Sequence, residues 1–396
     1  MSHSQHTKHL KMGVLIATAF LIPSALAGCS AESDAGDNSG GGGTTSGGDD
    51  YTADAQSAVD AAYKGLYSEP TKGGPATQGG KNIWVIPCST ALFGCSEPAA
   101  AVEEAAKELD WKVTVADGKA SPAGYNAAIN QAVAAGADGI ITVAIDCPAA
   151  KAGLEAARDA DIPTVAVWAY DCDDPKAGGG EAVYSATINS SGTPAEFGTD
   201  WGKLKADYAI SATDGAAKVI LVTHPDFIVT QYETDGYKEQ IAKCGGCEIV
   251  ATVDITGADL GNPAGTAQKV ATAMQQHPEA TVLDLPDDTT MAEVAQVVGA
   301  SKRDDLVVVA GEGYPSTVAM IHDGIVTAAA GVPANWLGWS GADAMNRVLA
   351  GETDIPDQGA SFQMIDADNG LPESKDASWV PSVDYKAAFV ANWTAG

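Results

Sequence analysis

Residues 134–168 read AAGADGIITVAIDCPAAKAGLEAARDADIPTVAVW, and the fold class turns on them. The run 139–145 is short, apolar and rich in β-branched residues, which predicts a buried strand. Alanine-rich 149–157 predicts a helix, and 163–168 a second strand. Strand, helix and strand in about 30 residues make the unit of a parallel sheet with right-handed crossovers.

The alternation continues in both directions. Upstream, strands over 82–87 and 111–115 flank a helix over 97–109, and a helix over 120–135 leads into 139–145. Downstream, a strand over 182–188 leads into a helix over 194–212. A second series has strands over 217–223, 248–253, 281–285, 306–309 and 325–330, separated by helices over 232–242, 266–276, 290–298 and 316–322. A helix over 341–349 follows. The pattern predicts two similar α/β halves, each a Rossmann-like lobe with a parallel sheet. No G-x-G-x-x-G or G-x-x-x-x-G-K-[ST] opens any of these helices, so dinucleotide and P-loop chemistry lack support and no cofactor is expected.

Composition narrows the function classes. The 396 residues carry 22 Lys+Arg against 52 Asp+Glu, a formal net charge of −30. Nucleic-acid binding needs a basic face that releases counterions, so it is excluded. Hydrophobic residues make up 45 %, enough for real cores. Beyond the first thirty residues no apolar run reaches the ~18 needed to cross a bilayer, which excludes a polytopic transporter.

The N-terminus reads as an export signal. Lys8 and Lys11 precede an apolar stretch over 12–22, followed by Leu26-Ala27-Gly28-Cys29. The last four residues look like a bacterial lipobox, which makes 1–28 a lipoprotein signal peptide and Cys29 the lipidated residue. Two acyl chains give stable anchoring, so an extracytoplasmic protein anchored to the bacterial cell membrane is expected. Residues 29–80 read as a flexible tether, with Gly40-Gly41-Gly42-Gly43 at its centre and one short helix over 51–67. Six further cysteines in an oxidising compartment favour disulfides. Local spacing favours Cys88–Cys95 and Cys244–Cys247, and Cys147 and Cys172 follow successive strands whose loops could join. Cys244-Gly-Gly-Cys247 sits after a helix rather than at its N-terminus, which argues against a redox centre. A single such pair also falls short of a zinc site. Asp171-Cys172-Asp173-Asp174 lacks the glycine and spacing of a calcium loop, so no metal is expected.

From 81 to 369 the chain resembles type I periplasmic binding proteins, in particular the ribose/galactose-like sugar-binding class. The matching stretches are WVIP at 84–87, AAKELDW at 105–111, AAGADGII at 134–141, ADIPTV at 160–165, VVVAGEG at 307–313 and HDG at 322–324, in order and at family spacing. The resemblance implies two lobes joined by three hinge crossings and closing on a small ligand. It places 81–188 plus 333–361 in the first lobe and 189–332 plus 362–396 in the second. It implies a monomeric solute-binding lipoprotein that hands its ligand to an ABC permease. A receptor-coupled sensor, or a binder of a non-sugar aromatic or amine solute, are the alternatives. An exported hydrolase would want a nucleophile elbow, and there is no G-x-S-x-G. Only His224 could reach the cleft, with no serine partner evident, so no catalytic residues are assigned.

Ligands of such folds sit at the C-terminal ends of the strands. That rule selects Ser89 and Phe93 after the first strand, Asp146 after the third, and Trp168 and Tyr170 after the fourth. In the second lobe it selects Gln231, Tyr232, Asp287 and Glu312, with Trp336 just after the third hinge crossing. One of Asp287 and Asp288 is expected to cap the following helix. The sugar binders usually carry Asp-Arg after strand four and an arginine before a Gly-aromatic pair. Here Trp168-Ala169 and Gln231-Tyr232 stand instead, so the arginine clamp is missing and the site is aromatic and acidic.

Overall fold

A computed structural model describes residues 49–395. The expected signal peptide over 1–28, the expected lipidation site Cys29 and the glycine-rich start of the expected tether lie outside the described residues.

A helix, α1 (Asp49–Ala62), precedes the first sheet. Then come β1 (Asn82–Pro87), α2 (Phe93–Glu108), β2 (Lys112–Val115), α3 (Pro122–Ala134), β3 (Gly139–Val143), α4 (Cys147–Asp159), β4 (Thr164–Val167) and β5 (Ala186–Thr187). Their order is β2-β1-β3-β4-β5, all parallel. Strands β3 and β4 are buried at every position, as their unbroken apolar runs require.

The second series is α5 (Pro194–Ala212), β6 (Lys218–Thr223), α6 (Ile228–Ile241), β7 (Glu248–Asp254), α7 (Pro263–Gln276), β8 (Val282–Leu285), α8 (Asp288–Ser301), β9 (Val307–Ala310), α9 (Pro315–His322) and β10 (Ala328–Gly331). The chain then forms α10 (Ala334–Leu349), β11 (Gln363–Asp366) and α11 (Tyr385–Ala395). The second sheet runs β11-β10-β9-β8-β6-β7, with β11 alone antiparallel. Without β11 it repeats the strand order of the first sheet. In this order the winding of the chain along each sheet reverses between β1 and β3 and between β6 and β8, with the strands still parallel, and those two points position the site.

Helix α10 returns to the first lobe and lies across α2 and β4. Its contact is too close for side chains: a Cβ at Gly338 would sit 2.3 Å from the Pro98 carbonyl oxygen, and one at Gly341 2.3 Å from Val167 Cγ2. Helix α11 does not stay with the second lobe, where 362–396 was expected to belong. It packs on α10 through Trp393, stacked 5.6 Å from Trp339, and Tyr385, stacked 4.8 Å from Trp336.

The described part of the tether is docked rather than flexible. Ala55, Val59 and Ala62 of α1 are buried, and α1 packs along α5 of the second lobe. The chain then runs along the 359–362 segment, with Leu66 N–H donating to Phe362 O and Ser68 N–H to Gly359 O, each at 2.9 Å. Arg347 donates to Gly73 O at 2.6 Å. This N-terminal strap thus touches α5, the 359–362 segment and α10 in turn.

The disulfides are Cys88–Cys95, Cys147–Cys172 and Cys244–Cys247. Among the described residues no helix is long and apolar enough to cross a membrane.

Candidate functional site

A cleft, partly open to solvent, lies where the C-terminal strand ends of both sheets converge. Strand ends at a switch point are where ligands of open α/β sheets bind.

The first lobe supplies apolar walls. Ala144 and Trp168 directly follow β3 and β4, and both adopt left-handed backbone, with φ of 52° and 51°. Such φ values are costly for residues other than glycine and cluster at functional sites. Both line the cavity, with Leu92, Gly94 and the Cys88–Cys95 disulfide completing this wall. Trp201 of α5 faces Trp168 at 6.0 Å. The indole N–H groups of both tryptophans are buried and have no hydrogen-bond partner among the described residues.

The second lobe supplies the charge. His224 follows β6 and Asp287 follows β8, one on each side of the switch point, with His224 Nε2 2.9 Å from Asp287 Oδ2. The His224 Nδ1–H donates to Ile255 O at 2.7 Å. Burial disfavours the charged imidazole, but the Asp287 carboxylate outweighs it and raises the His224 pKa. Burial would likewise raise Asp287, and the facing imidazolium instead leaves it lowered. The two are therefore an ion pair. Asp287 also caps α8, accepting from Thr290 N–H at 2.7 Å.

Asp288, its neighbour, faces inward and accepts from Glu312 N–H, Ser316 Oγ and Thr317 N–H, tying α8 to the start of α9. Glu312 follows β9 and is only 3 % exposed, at the cavity wall. Burial holds its carboxyl well above the usual range, Asp288 and Asp287 add repulsion, and the Asp288 backbone N–H gives partial relief. Gly94 keeps this corner open. A Cβ built there would lie 3.5 Å from Glu312 Oε1 and 3.7 Å from Trp168 Cζ3.

Of the expected ligand residues, Trp168, Asp287 and Glu312 line the cavity. The others do not. Trp336 is fully buried in α10, because that helix starts at Ala334 rather than 341 and turns the ring into the core. Gln231 and Tyr232 lie in α6, which starts four residues earlier than expected, so Gln231 Nε2 donates to Pro225 O and Tyr232 moves to the rim. There Tyr232 stacks on Tyr170 at 5.2 Å and its hydroxyl donates to Asp174 at 3.0 Å. Tyr170 itself donates to Pro194 O. Asp146 accepts from Tyr170 N–H and, across the cleft, from Ile228 N–H, each at 3.1 Å. Burial pushes it up to about 6. Ser89 Oγ accepts from Ala91 N–H, and Phe93, 39 % exposed, leans on Tyr314 of the other lobe at 6.0 Å. Asp146, Tyr170, Tyr232 and Phe93 thus join the lobes instead of lining the cavity.

Sequence reasoning missed Trp201, Thr230, Leu260 and Thr289. Trp201 sits mid-helix in α5 among apolar neighbours, so nothing local distinguishes it from a core residue. Cys147, Asp171 and Cys172 cluster closely enough to suggest metal ligands, but the two sulfurs are bonded to each other.

The periplasmic binding protein domain family matches residues 85–353. No curated protein matches the chain. Similar solved structures include an ABC transporter solute-binding protein from Burkholderia graminis in complex with D-arabinose. It is 20 % identical with a TM-score of 0.62, over 73 % of this chain and 96 % of that one. A glucose-galactose binding protein from Geobacillus stearothermophilus is 20 % identical with a TM-score of 0.61, over 72 % and 97 %. An ABC transporter solute-binding protein from Mycobacterium smegmatis, with bound glycerol, is 18 % identical with a TM-score of 0.62, over 76 % and 100 %.

Proposed function

The chain belongs to the periplasmic binding protein domain family, and from that premise we propose that it is an extracytoplasmic solute-binding protein of an ABC importer, held at the membrane by a lipid on Cys29. The cargo is a small sugar-like or polyol-like solute. The observation that carries this reading is the cavity itself, walled by strand ends of both lobes. A ligand touching both lobes stabilises the closed arrangement, because only contacts that differ between open and closed states shift that equilibrium. The protein acts by binding and release, with no catalytic step. Trp168, Trp201 and Phe227 offer flat apolar faces for C–H patches, and His224, Asp287, Thr230 and Glu312 offer polar contacts.

The test is a melting-temperature screen of the protein with pentoses, hexoses, polyols and their amino derivatives. A true ligand at 100 times its Kd adds about 2.7 kcal/mol by mass action. A clear upward shift by one solute, with one-to-one calorimetric binding, is the expected result. No shift from any of them overturns the reading. Cys29→Ala is expected to release the protein from membranes, and a variant that stays membrane-bound would refute the lipid anchor.

A further inference from the structure

The cavity is unbalanced in charge. Among the described residues, His224 is the sole Lys, Arg or His lining it, and it is committed to Asp287. Lys205 of α5, buried in the second lobe, is saturated by Glu233 at 2.5 Å, Asp284 at 3.1 Å and Leu285 O at 2.9 Å. Glu312 is left with a backbone amide and no cation. Its carboxylate and the Trp168 ring converge on one point beside Gly94, 3.5 and 3.7 Å away. Both also line the cavity, and a carboxylate and an aromatic ring at one corner of a pocket are the groups that hold an ammonium.

We propose that the solute captured here is a small protonated amine bearing hydroxyl groups, an amino sugar or amino alcohol, with its ammonium between Glu312 and Trp168. This rests on the solute-binding reading above and narrows its cargo. A neutral sugar can donate hydroxyls to Glu312, but it leaves the buried charge uncompensated, and an ammonium supplies both donors and charge. The partnerless indole N–H groups of Trp168 and Trp201 suit hydroxyl acceptors on the same solute.

The proposal carries a proton balance. Burial raises the pKa of free Glu312, and Asp288 and Asp287 of the β8–α8 junction and Glu233 of α6 add repulsion. Glu97 of α2 acts on the adjoining Tyr314, and His224 and Lys205 are the cations on this side. A facing ammonium lowers that pKa, so any proton the Glu312 carboxyl carries passes to solvent as its O–H bond breaks, and a carboxylate–ammonium pair remains. Amine binding therefore releases protons and tightens as pH rises toward the free-state pKa of Glu312. Binding of a neutral solute does not.

The experiment uses the mature protein and matched pairs: D-glucosamine against D-glucose, and ethanolamine against its uncharged isostere 1-propanol. Melting temperature and calorimetric affinity are measured for each, in phosphate and in MOPS, which carries no hydroxyl group, at the same pH. The expected result is an amine bound about tenfold or more tightly than its neutral partner, with a buffer-dependent heat that reports proton release. Glu312→Gln is expected to erase that preference. The proton-release measurement needs no variant, so a misfolded Glu312→Gln leaves the test intact. A neutral partner bound as tightly as the amine, or a preference that survives Glu312→Gln, overturns the amine proposal and leaves the solute-binding function standing. Failure of every solute in both series, neutral and charged, overturns the function and this proposal together.

Discussion

The two lobes share one strand order, yet the carboxylates at their strand ends meet different fates. In the first lobe, Asp146 is spent on backbone amides of Tyr170 and Ile228. Asp171 is spent on those of Cys172, Val183 and Tyr184. Neither is free to meet a ligand. In the second lobe, Asp287 pairs with His224, and Glu312 stands at the cavity wall with little compensation. A strand-end position is therefore necessary for a site carboxylate but not sufficient. What decides is whether nearby loops leave backbone N–H groups that need an acceptor. The 172–184 loop and the unpaired start of α6 supply such groups to the first lobe, which leaves it an apolar wall.

The comparison breaks most visibly beneath the second lobe, where charge is structural rather than ligand-facing. Lys205→Met leaves Glu233 and Asp284 buried without their cation. The expected loss is about 3–5 kcal/mol of stability, read from urea unfolding. A loss under about 1 kcal/mol would mean that water already reaches this triad.

A smaller effect separates the lobes by pH. The His224 pKa is raised, so its stabilisation is complete below the unfolded value of about 6.5 and is lost as pH rises through the folded value. Asp287 is lowered, so its share holds above the unfolded carboxylate value and is lost only as pH falls through its depressed pKa. The pair is fully expressed at mildly acidic pH and weakens on the alkaline side. Melting temperature followed from pH 5 to 9 is expected to show an alkaline decline that His224→Gln flattens. An identical slope in the variant would remove the ion pair from the account.

The smallest effect lies at the rim. Tyr232→Phe removes the hydrogen bond to Asp174 that links the lobes. It is expected to weaken ligand affinity by about 0.5–1.5 kcal/mol without changing which solute is preferred. A change of preference would put Tyr232 back among the ligand contacts.

Most of the sheet architecture was legible because buried parallel strands declare themselves as apolar runs. Trp168, Asp287 and Glu312 followed from the strand-end rule. The misplaced residues trace to helix starts that carry no signal. The N-cap positions of α2 and α6 are Leu92 and Phe227, which have no capping side chain, and Pro98 inside α2 reads as a break. Both helices therefore begin earlier than their sequences suggest, which carries Phe93, Gln231 and Tyr232 away from the cavity. Trp336 was misread for a related reason: Gly338 and Gly341 look like helix breakers, yet they are the points where α10 presses on its neighbours. Docking of the 49–80 strap and the return of α11 depend on contacts hundreds of residues apart, such as Tyr63 with Asp366. No local pattern announces those.

The central claim is that one ligand is held by both lobes at once. Calorimetric titration of the best-stabilising solute into Trp168→Ala, from the first lobe, and Phe227→Ala, from the second, tests it most directly. The account predicts that each variant loses about 2 kcal/mol of affinity or more, as buried aromatic anchors do, while both keep a cooperative melting transition. Full affinity in either variant, with loss confined to the other, would place the ligand on a single lobe and contradict the account.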